Sequence, residues 1–227
     1  MTDPTAVPKS FRRTWLLWTA GFLGFPIAGL AGTAVAGHVD SPTAALLGGA
    51  VTGLVLGAAQ ALASRRRLDP RRWIPATGAG MGVGLLLGAA VVDYSTSLAD
   101  LALMGALTGA VLGLTQTLAL PQRTRLRWVW AAAVSALWAL GWTVTTLGQI
   151  DVEQQFTIFG ASGALTFAAL SGLLLHALLP YRTAAGPPPV TPGSRRRHDR
   201  HTAAPHRPRC TNMTGPQDTA ARHGPRP

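Results

Sequence analysis

The sequence predicts an all-α membrane protein with six transmembrane helices, arranged as three helical hairpins in the same orientation. Of its 227 residues, 48% are hydrophobic and 13% are charged, whereas a soluble domain carries about 25% charged residues. Six apolar stretches are each long enough to cross a hydrocarbon core of about 30 Å, which takes about 20 helical residues. All 20 Lys and Arg residues then lie on one side of the membrane. The single cysteine, Cys210, excludes an internal disulfide framework.

Short connections make successive spans antiparallel and leave no room for a soluble domain between them. The predicted organisation is a cytoplasmic N-terminal segment at residues 1–13, a transmembrane domain at residues 14–180 and a disordered basic cytoplasmic tail at residues 181–227. Within the domain, the spans are predicted at residues 14–37, 43–64, 73–94, 98–120, 128–148 and 156–179.

Charge placement orients this topology. Basic residues cluster before the first span, in the loops after the second and fourth spans, and after the last span, and such residues are expected in cytoplasmic loops. The opposite loops hold no Lys or Arg, and their charged or titratable residues are His38, Asp40, Asp93, Asp100, Asp151 and Glu153. We therefore expect a multi-pass protein of the cell membrane with both termini in the cytoplasm.

The odd spans begin with arginine followed by tryptophan, residues that anchor a helix at headgroup level. These pairs are predicted to contact anionic lipid headgroups of the inner leaflet: Arg13 and Trp15, Arg72 and Trp73, and Arg127 and Trp128. The first span also ends in Ala34-Val35-Ala36, which resembles a signal-peptidase site, so a cleaved signal is the alternative for that span. Its apolar run of about 23 residues, longer than a usual signal core, favours a retained helix.

The second and fourth spans contain an internal repeat. Residues 49–63 align without gaps on residues 105–119 with 10 of 15 positions identical, and residues 163–166 open a weaker third copy. Most identical positions share one helical face. Glycine at i, i+4 and i+8 on that face lets membrane helices pack closely, and the third span has the same ridge. The predicted packing glycines are Gly49, Gly53, Gly57, Gly80, Gly84, Gly88, Gly105, Gly109 and Gly113.

The fifth span has larger residues where a glycine ridge would lie, namely Ser135, Trp138 and Trp142. It is therefore expected to pack less closely than the others.

The GAxTGxxLGxxQ helices, followed by arginine-rich turns and a tryptophan entry, resemble a group of bacterial polytopic membrane proteins with repeated GAxxGxxxGxxQ hairpins. The resemblance covers about residues 43–180. It implies no known activity.

Four polar side chains lie on the repeat face inside apolar helices: Thr52, Gln60, Thr108 and Gln116. They are candidates for a polar path or a headgroup pocket around the repeat axis. The alternative is that their hydrogen bonds fix helix packing. Packing is favoured because no intramembrane carboxylate or arginine accompanies them, and ion-coupled carriers usually require such charges.

The sixth span begins with Gly160-Ala161-Ser162-Gly163, which resembles the nucleophile motif of rhomboid intramembrane proteases. In that family a histidine on another helix activates the serine. Here the intramembrane histidine, His176, is on the same helix at a distance of about 21 Å, whereas general-base catalysis needs about 3 Å. No catalytic residue is therefore predicted, and the motif is interpreted as a small-residue packing site.

The tail contains a loose group of metal-ligating residue types that matches no closed metal site: His198, His201, His206 and Cys210. No metal or other cofactor is predicted. The tail arginines are expected to attract the anionic inner leaflet, and nucleic acid is not expected as a partner because no aromatic residues are interleaved with them.

The sequence thus predicts a non-enzymatic integral membrane protein with a structural, regulatory or assembly role. The alternative is a passive channel or small-solute permease. Expected partners are the lipid bilayer, a second copy of the chain or another membrane protein. The two functions differ in whether the glycine faces close on one another or on a lumen.

Overall fold

The computed structural model describes residues 9–65, 67–122, 124, 126–148 and 157–179. These residues form seven α-helices, and no strand occurs among them. The helices are α1 (Lys9–Ala20), α2 (Gly24–Ala36), α3 (Pro42–Ala63), α4 (Pro70–Val91), α5 (Leu98–Ala119), α6 (Arg127–Leu147) and α7 (Ala161–Leu178). Some predictions fall outside the described residues, namely those on Asp151, Glu153, the tail and its residues His198, His201, His206 and Cys210.

The prediction of six helices that can span a membrane is confirmed. α1 and α2 are joined by a short 3-10 helix at Gly21–Leu23, and together they contain one apolar span from Phe11 to Ala36. Each of α3 to α7 is also long and apolar enough to cross a membrane. The chain is therefore an all-helical, multi-pass membrane protein.

Capping side chains determine where α3, α4 and α5 begin. Ser41 accepts a hydrogen bond from the Ala44 N–H at 3.3 Å, and Asp69 accepts one from the Arg71 N–H at 3.0 Å. A proline follows Ser41 and Asp69 at the first helical position, where its missing N–H removes no helical hydrogen bond. The cap of α5 is Ser97, which accepts a hydrogen bond from the Asp100 N–H at 3.3 Å. The cap at Asp69 explains why α4 begins at Pro70 and not at residue 73, where the apolar run starts.

The helices pack in chain order, and the last one closes on the first. α2 contacts α3, each later helix contacts the next as far as α7, and α7 contacts α1. Neighbouring spans are antiparallel, so the starts of α1, α4 and α6 lie beside the ends of α3, α5 and α7. We call this side the basic end, because it holds the described arginines Arg12, Arg13, Arg65, Arg67, Arg71, Arg72 and Arg127.

The predicted glycine ridges lie where the backbones of neighbouring helices meet. A Cβ atom added to Gly53 on α3 would lie 2.5 Å from the Thr77 carbonyl oxygen on α4. One added to Gly109 on α5 would lie 2.7 Å from the Val134 carbonyl oxygen on α6. The other ridge glycines face α4 (Gly49 and Gly57), α5 (Gly80, Gly84 and Gly88) and α6 (Gly105 and Gly113).

The expectation that the fifth span packs less closely is wrong for its contact with α5. A Cβ atom on Gly109 would lie 2.8 Å from Ser135 Cα, and the Ser135 hydroxyl donates to the Ala106 carbonyl oxygen at 2.7 Å. A close contact needs small residues on only one of the two helices. The α5 glycines supply them, so the tryptophans of α6 are free to point into the interior.

Aromatic rings fill the interior between the helices. The rings of Phe25 on α2 and Trp138 on α6 are 6.2 Å apart between centroids, although these helices are not neighbours in the packing order. Phe159 and Phe167 lie against both rings at centroid distances of 4.8 to 5.7 Å. All four side chains are at most 2% exposed, so they close the interior at this depth.

A short non-helical segment enters the bundle before α7. Thr157 is buried and shares a 2.8 Å hydrogen bond with Thr52, which lies midway along α3. The Gly160 N–H donates to the Thr145 hydroxyl at 3.1 Å. Irregular backbone is tolerated at membrane depth where protein surrounds it. α7 therefore begins at Ala161, whereas the apolar run predicted a start at residue 156.

Candidate functional site

Two glutamine side chains meet inside the bundle near the basic end. The repeat places Gln60 on α3 and Gln116 on α5, and the two are 5% and 0% exposed. The Gln116 amide nitrogen lies 3.4 Å from the Gln60 side-chain oxygen and 3.1 Å from the Thr77 hydroxyl on α4. The hydroxyl of Thr77 donates in turn to the Trp73 carbonyl oxygen at 2.8 Å. These contacts link α3, α4 and α5 through one polar network.

Each glutamine also accepts a hydrogen bond from a tryptophan on the next helix. The Trp73 indole N–H donates to the Gln60 side-chain oxygen at 2.9 Å, and the Trp130 indole N–H donates to the Gln116 side-chain oxygen at 3.1 Å. An indole N–H is a donor only and needs such an acceptor when it is buried. The two indole rings lie 6.0 Å apart between centroids. The polar groups and the rings thus form one cluster, which we call the Gln–Trp cluster: Gln60, Trp73, Thr77, Gln116 and Trp130.

Two further tryptophan hydrogen bonds join α1 to α7 at the same end. The Trp18 indole N–H donates to the Ser171 hydroxyl at 3.1 Å, and the Trp15 indole N–H donates to the Ala169 carbonyl oxygen at 3.0 Å. Each motif-bearing helix therefore accepts an indole hydrogen bond from the helix packed beside it: α3 from α4, α5 from α6 and α7 from α1.

The prediction that Trp73 contacts lipid headgroups is wrong. Its side chain is 0% exposed because the indole N–H is directed inward to Gln60. Trp15 is half-buried, and its indole N–H is bonded to α7. Trp128 is 54% exposed, with the Arg127 guanidinium 5.5 Å from its ring, while Arg13 and Arg72 are exposed. Trp128 thus has the environment of an interfacial anchor, whereas Trp130 takes the inward role that Trp73 has on α4.

The two predicted threonines are buried and hydrogen-bonded within the protein. Thr52 shares its hydrogen bond with Thr157, and the Thr108 hydroxyl donates to the Gly84 carbonyl oxygen at 3.2 Å. The cavity beside Gln60 has a volume of only about 10 Å³, which is about the space of a single water molecule. The four polar side chains proposed to line a path therefore lie among packed helices at these depths.

The rhomboid-like motif is part of a helix contact. A Cβ atom on Gly163 would overlap the Gly141 carbonyl oxygen of α6, so α6 and α7 meet closely here. Ser162 Oγ is buried and has no hydrogen-bond partner in the described part of the chain. The His176 ring lies instead against Phe11, with ring centroids 4.4 Å apart. The described residues thus contain no hydrogen-bonded serine–histidine pair at this motif.

Arg67 is a contact residue that the sequence analysis missed. It lies in the connection between α3 and α4, and its guanidinium donates to the Leu179 carbonyl oxygen at the end of α7. A cation at a helix C-terminus satisfies a carbonyl that the helix leaves unpaired and interacts favourably with the helix dipole. Nothing local in the sequence links these two segments, because they are 112 residues apart.

The geometry defines a polytopic α-helical membrane protein whose polar residues join neighbouring helices. Within the described ranges, no group of three or more His, Cys, Asp or Glu residues could hold a metal ion. Comparison of the chain with known protein families, curated proteins and solved structures gave no match. The resemblance of its hairpin motif to a group of bacterial membrane proteins stays a prediction.

Proposed function

We propose that the protein is a non-enzymatic membrane component with a structural or assembly role and that its helix bundle does not conduct solutes. One observation carries this proposal: the buried glutamines are hydrogen-bonded to tryptophans and to each other. Below them towards the opposite end, aromatic rings fill the interior. A permeation path would require both the Gln–Trp cluster and the packed aromatic rings to open.

The hydrogen-bond partners argue for packing in preference to transport. A polar side chain that lines a path must be free to exchange its partner for water or solute, whereas the Gln60 and Gln116 side-chain oxygens are directed to indole N–H groups. Interhelical hydrogen bonds of this kind contribute about 0.6 kcal/mol each. The backbone contacts at the glycines prevent the helices from separating without losing van der Waals packing.

The outer surface is then the part of the protein that acts on other molecules. Leu23, Ile27 and Leu30 on the first span are 60% to 74% exposed and face lipid or a neighbouring protein. A second copy or another membrane protein is the partner we propose for such a surface. Disulfide cross-linking between copies carrying Ile27→Cys in native membranes tests the homo-oligomer, with Leu173→Cys as the control on another exposed face.

For orientation, we propose that the basic end faces the cytoplasm of the cell membrane, because basic residues are retained on that side. Cysteines introduced at Asp40 and Asp93 should react with an impermeant thiol reagent added outside intact cells. A cysteine at Arg71 should react only after the membrane is permeabilised. Labelling of the Arg71→Cys variant in intact cells would reverse the orientation.

A solute-flux measurement tests the proposed function. The purified full-length chain is reconstituted into liposomes, and the permeability to water, glycerol and monovalent ions is compared with that of empty liposomes by stopped-flow light scattering and fluorescent indicators. We expect equal rates. A rate several times higher than in empty liposomes would refute the closed bundle.

A passive permease is the second candidate, since Thr52, Gln60, Thr108 and Gln116 are all buried on inward faces and the two amides touch. Such a network is able to rearrange into a polar path if the hairpins move apart. Gln60→Leu separates the two candidates. It should abolish flux if a permease exists, and it should change only stability if the bundle is closed.

A further inference from the structure

We propose that the groove between α3 and α4 at the basic end binds one anionic phospholipid, with its phosphate at Arg65 and an acyl chain over Ala58 and Ala61. The groove has a volume of about 710 Å³ and is lined by Ala58, Ala61, Leu62, Arg65, Pro70 and Ile74. It is separate from the Gln–Trp cluster, so it goes beyond the proposed function. The binding of a lipid here does not depend on whether the bundle conducts.

Small residues on α3 create the groove. At Gly57 the two helices touch, since a Cβ atom there would lie 3.1 Å from Ile74 Cα. Closer to the basic end, Gln60 and Trp73 join the helices on their inner side, and the small side chains of Ala58 and Ala61 line the outer side. Ala61 is 6% exposed and forms the floor. The 79% exposed side chain of Leu62 extends along the rim.

The charge at the mouth of the groove identifies the occupant. Arg65 is exposed and follows Ser64, the residue that caps the end of α3. Its side chain makes no hydrogen bond or ion pair within the described residues, whereas Arg72 has Asp69 at 3.9 Å. A free guanidinium binds phosphate oxygens with two parallel hydrogen bonds. An apolar groove ending in such a group matches a lipid that carries an acyl chain and a net negative headgroup.

The second copy of the motif provides an internal comparison. At the position of Ala58, 56 residues later in the chain, α5 has Leu114, which is 46% exposed. At the position of Arg65 it has Pro121. A leucine covers the surface that an alanine leaves open, and proline supplies no charge. The second copy therefore has leucine and proline at the two positions that define the proposed site.

Lipid retention by the intact chain tests this site. The full-length protein is delipidated in mild detergent, titrated with dioleoyl phosphatidylglycerol or dioleoyl phosphatidylcholine, and examined by native mass spectrometry. We expect one tightly retained phosphatidylglycerol. Arg65→Gln should weaken its binding about fivefold, the factor corresponding to about 1 kcal/mol for one arginine at an anionic surface, and should remove the preference over phosphatidylcholine.

Ala58→Leu tests the acyl-chain part of the site, because it gives α3 the residue that α5 already has. It should abolish retention of the single lipid while leaving the melting temperature unchanged. Arg12→Gln is the charge-matched control, because Arg12 is exposed at the same end, and this variant should retain the lipid as the unmodified protein does. If Ala58→Leu lowers the melting temperature, Ala58→Val takes its place.

The outcomes are distinct. Weaker binding in the Arg65 variant together with lost retention in the Ala58 variant supports the site. Equal weakening in the Arg65 and Arg12 variants, with no effect at Ala58, would show that lipid binds through general surface charge and would overturn the proposal. Unchanged retention in the Arg65 and Ala58 variants would overturn it as well. None of these results bears on solute flux, so failure here is distinguishable from failure of the proposed function.

Discussion

The junctions that join α3 to α4 and α5 to α6 differ from the junction that closes α7 on α1. The first two combine a glycine ridge with a glutamine that accepts an indole hydrogen bond. In the third copy of the motif, Phe167 stands where Gly53 does, Ser171 where Gly57 does and Leu174 where Gln60 does. The closing junction has kept the indole hydrogen bond and lost the ridge and the glutamine.

This difference shows how one motif serves two purposes. A glycine ridge brings two helix backbones together. Because glycine has no side chain, the ridge residues cannot fill the interior of the bundle. Phe167 takes the place of a ridge glycine and fills the interior beside Phe25 and Trp138 instead. The closing junction then relies on the indole hydrogen bonds of Trp18 and Trp15. We infer that it is the least stable of the three junctions.

The largest effects are expected from leucine at the ridge. In Gly53→Leu and Gly109→Leu, the new Cβ meets carbonyl oxygens at 2.5 and 2.7 Å, which only a backbone shift can relieve. We expect the free energy of unfolding to fall by about 1–3 kcal/mol or more, since this is the usual cost of overpacking. Thermal unfolding in detergent measures this loss.

The matched variant at the closing junction is Gly172→Leu, where the nearest atom is Trp18 Cδ1 at 2.6 Å. A side chain can rotate away, so the melting temperature should fall less than for Gly53→Leu. Val51→Leu, on the other side of α3, should have almost no effect. A larger fall for Gly172→Leu than for Gly53→Leu would contradict the ranking of the junctions.

Removal of an indole N–H tests the hydrogen bonds. Trp130→Phe leaves the buried Gln116 oxygen without a donor among the described residues, which costs about 1–3 kcal/mol. Trp73→Phe should cost less, because the Gln60 oxygen keeps its 3.4 Å contact with the Gln116 amide nitrogen. Trp18→Phe should cost about 0.6 kcal/mol for its hydrogen bond, since the Ser171 hydroxyl keeps its 3.4 Å contact with the Ala168 carbonyl oxygen. Unfolding free energies in mixed micelles give the comparison.

The double variant Trp73→Phe with Gln60→Leu sharpens this test. Replacing both partners leaves neither polar group of the pair unsatisfied, so the double variant should be more stable than the sum of the single losses indicates. Strictly additive losses would show that the indole and the amide do not interact.

The smallest effect is expected at Arg67, which supports the closing junction from outside. Arg67→Gln removes the charge beside the last turn of α7 and should cost about 0.3–1 kcal/mol. Hydrogen–deuterium exchange should accelerate in the last turn of α7 and stay unchanged in α5. Arg71→Gln is the control, because Arg71 is exposed at the same end. Equal exchange in both variants would remove Arg67 from the closing contact.

The features that depend on local chemistry could be predicted from the amino-acid sequence. An apolar stretch of about 20 residues identifies a span wherever it packs, and all six predicted spans were found. The glycine ridges could be predicted for the same reason, since the spacing of residues along one helix determines which of them share a face. The polar residues of the repeat were also expected on that face, and they are buried there.

The neighbour that each helix face contacts could not be predicted in this way, because it depends on how the whole chain packs. Trp73 and Trp128 follow arginine in the same way, yet Trp73 is buried on Gln60 while Trp130, two residues after Trp128, takes the equivalent place on Gln116. The separations from glutamine to tryptophan are 13 and 14 residues, so the turn between α5 and α6 shifts the register. The contact of Arg67 with the end of α7 likewise depends on the packing of the last helix on the first. No local sequence pattern relates the two segments that this contact joins.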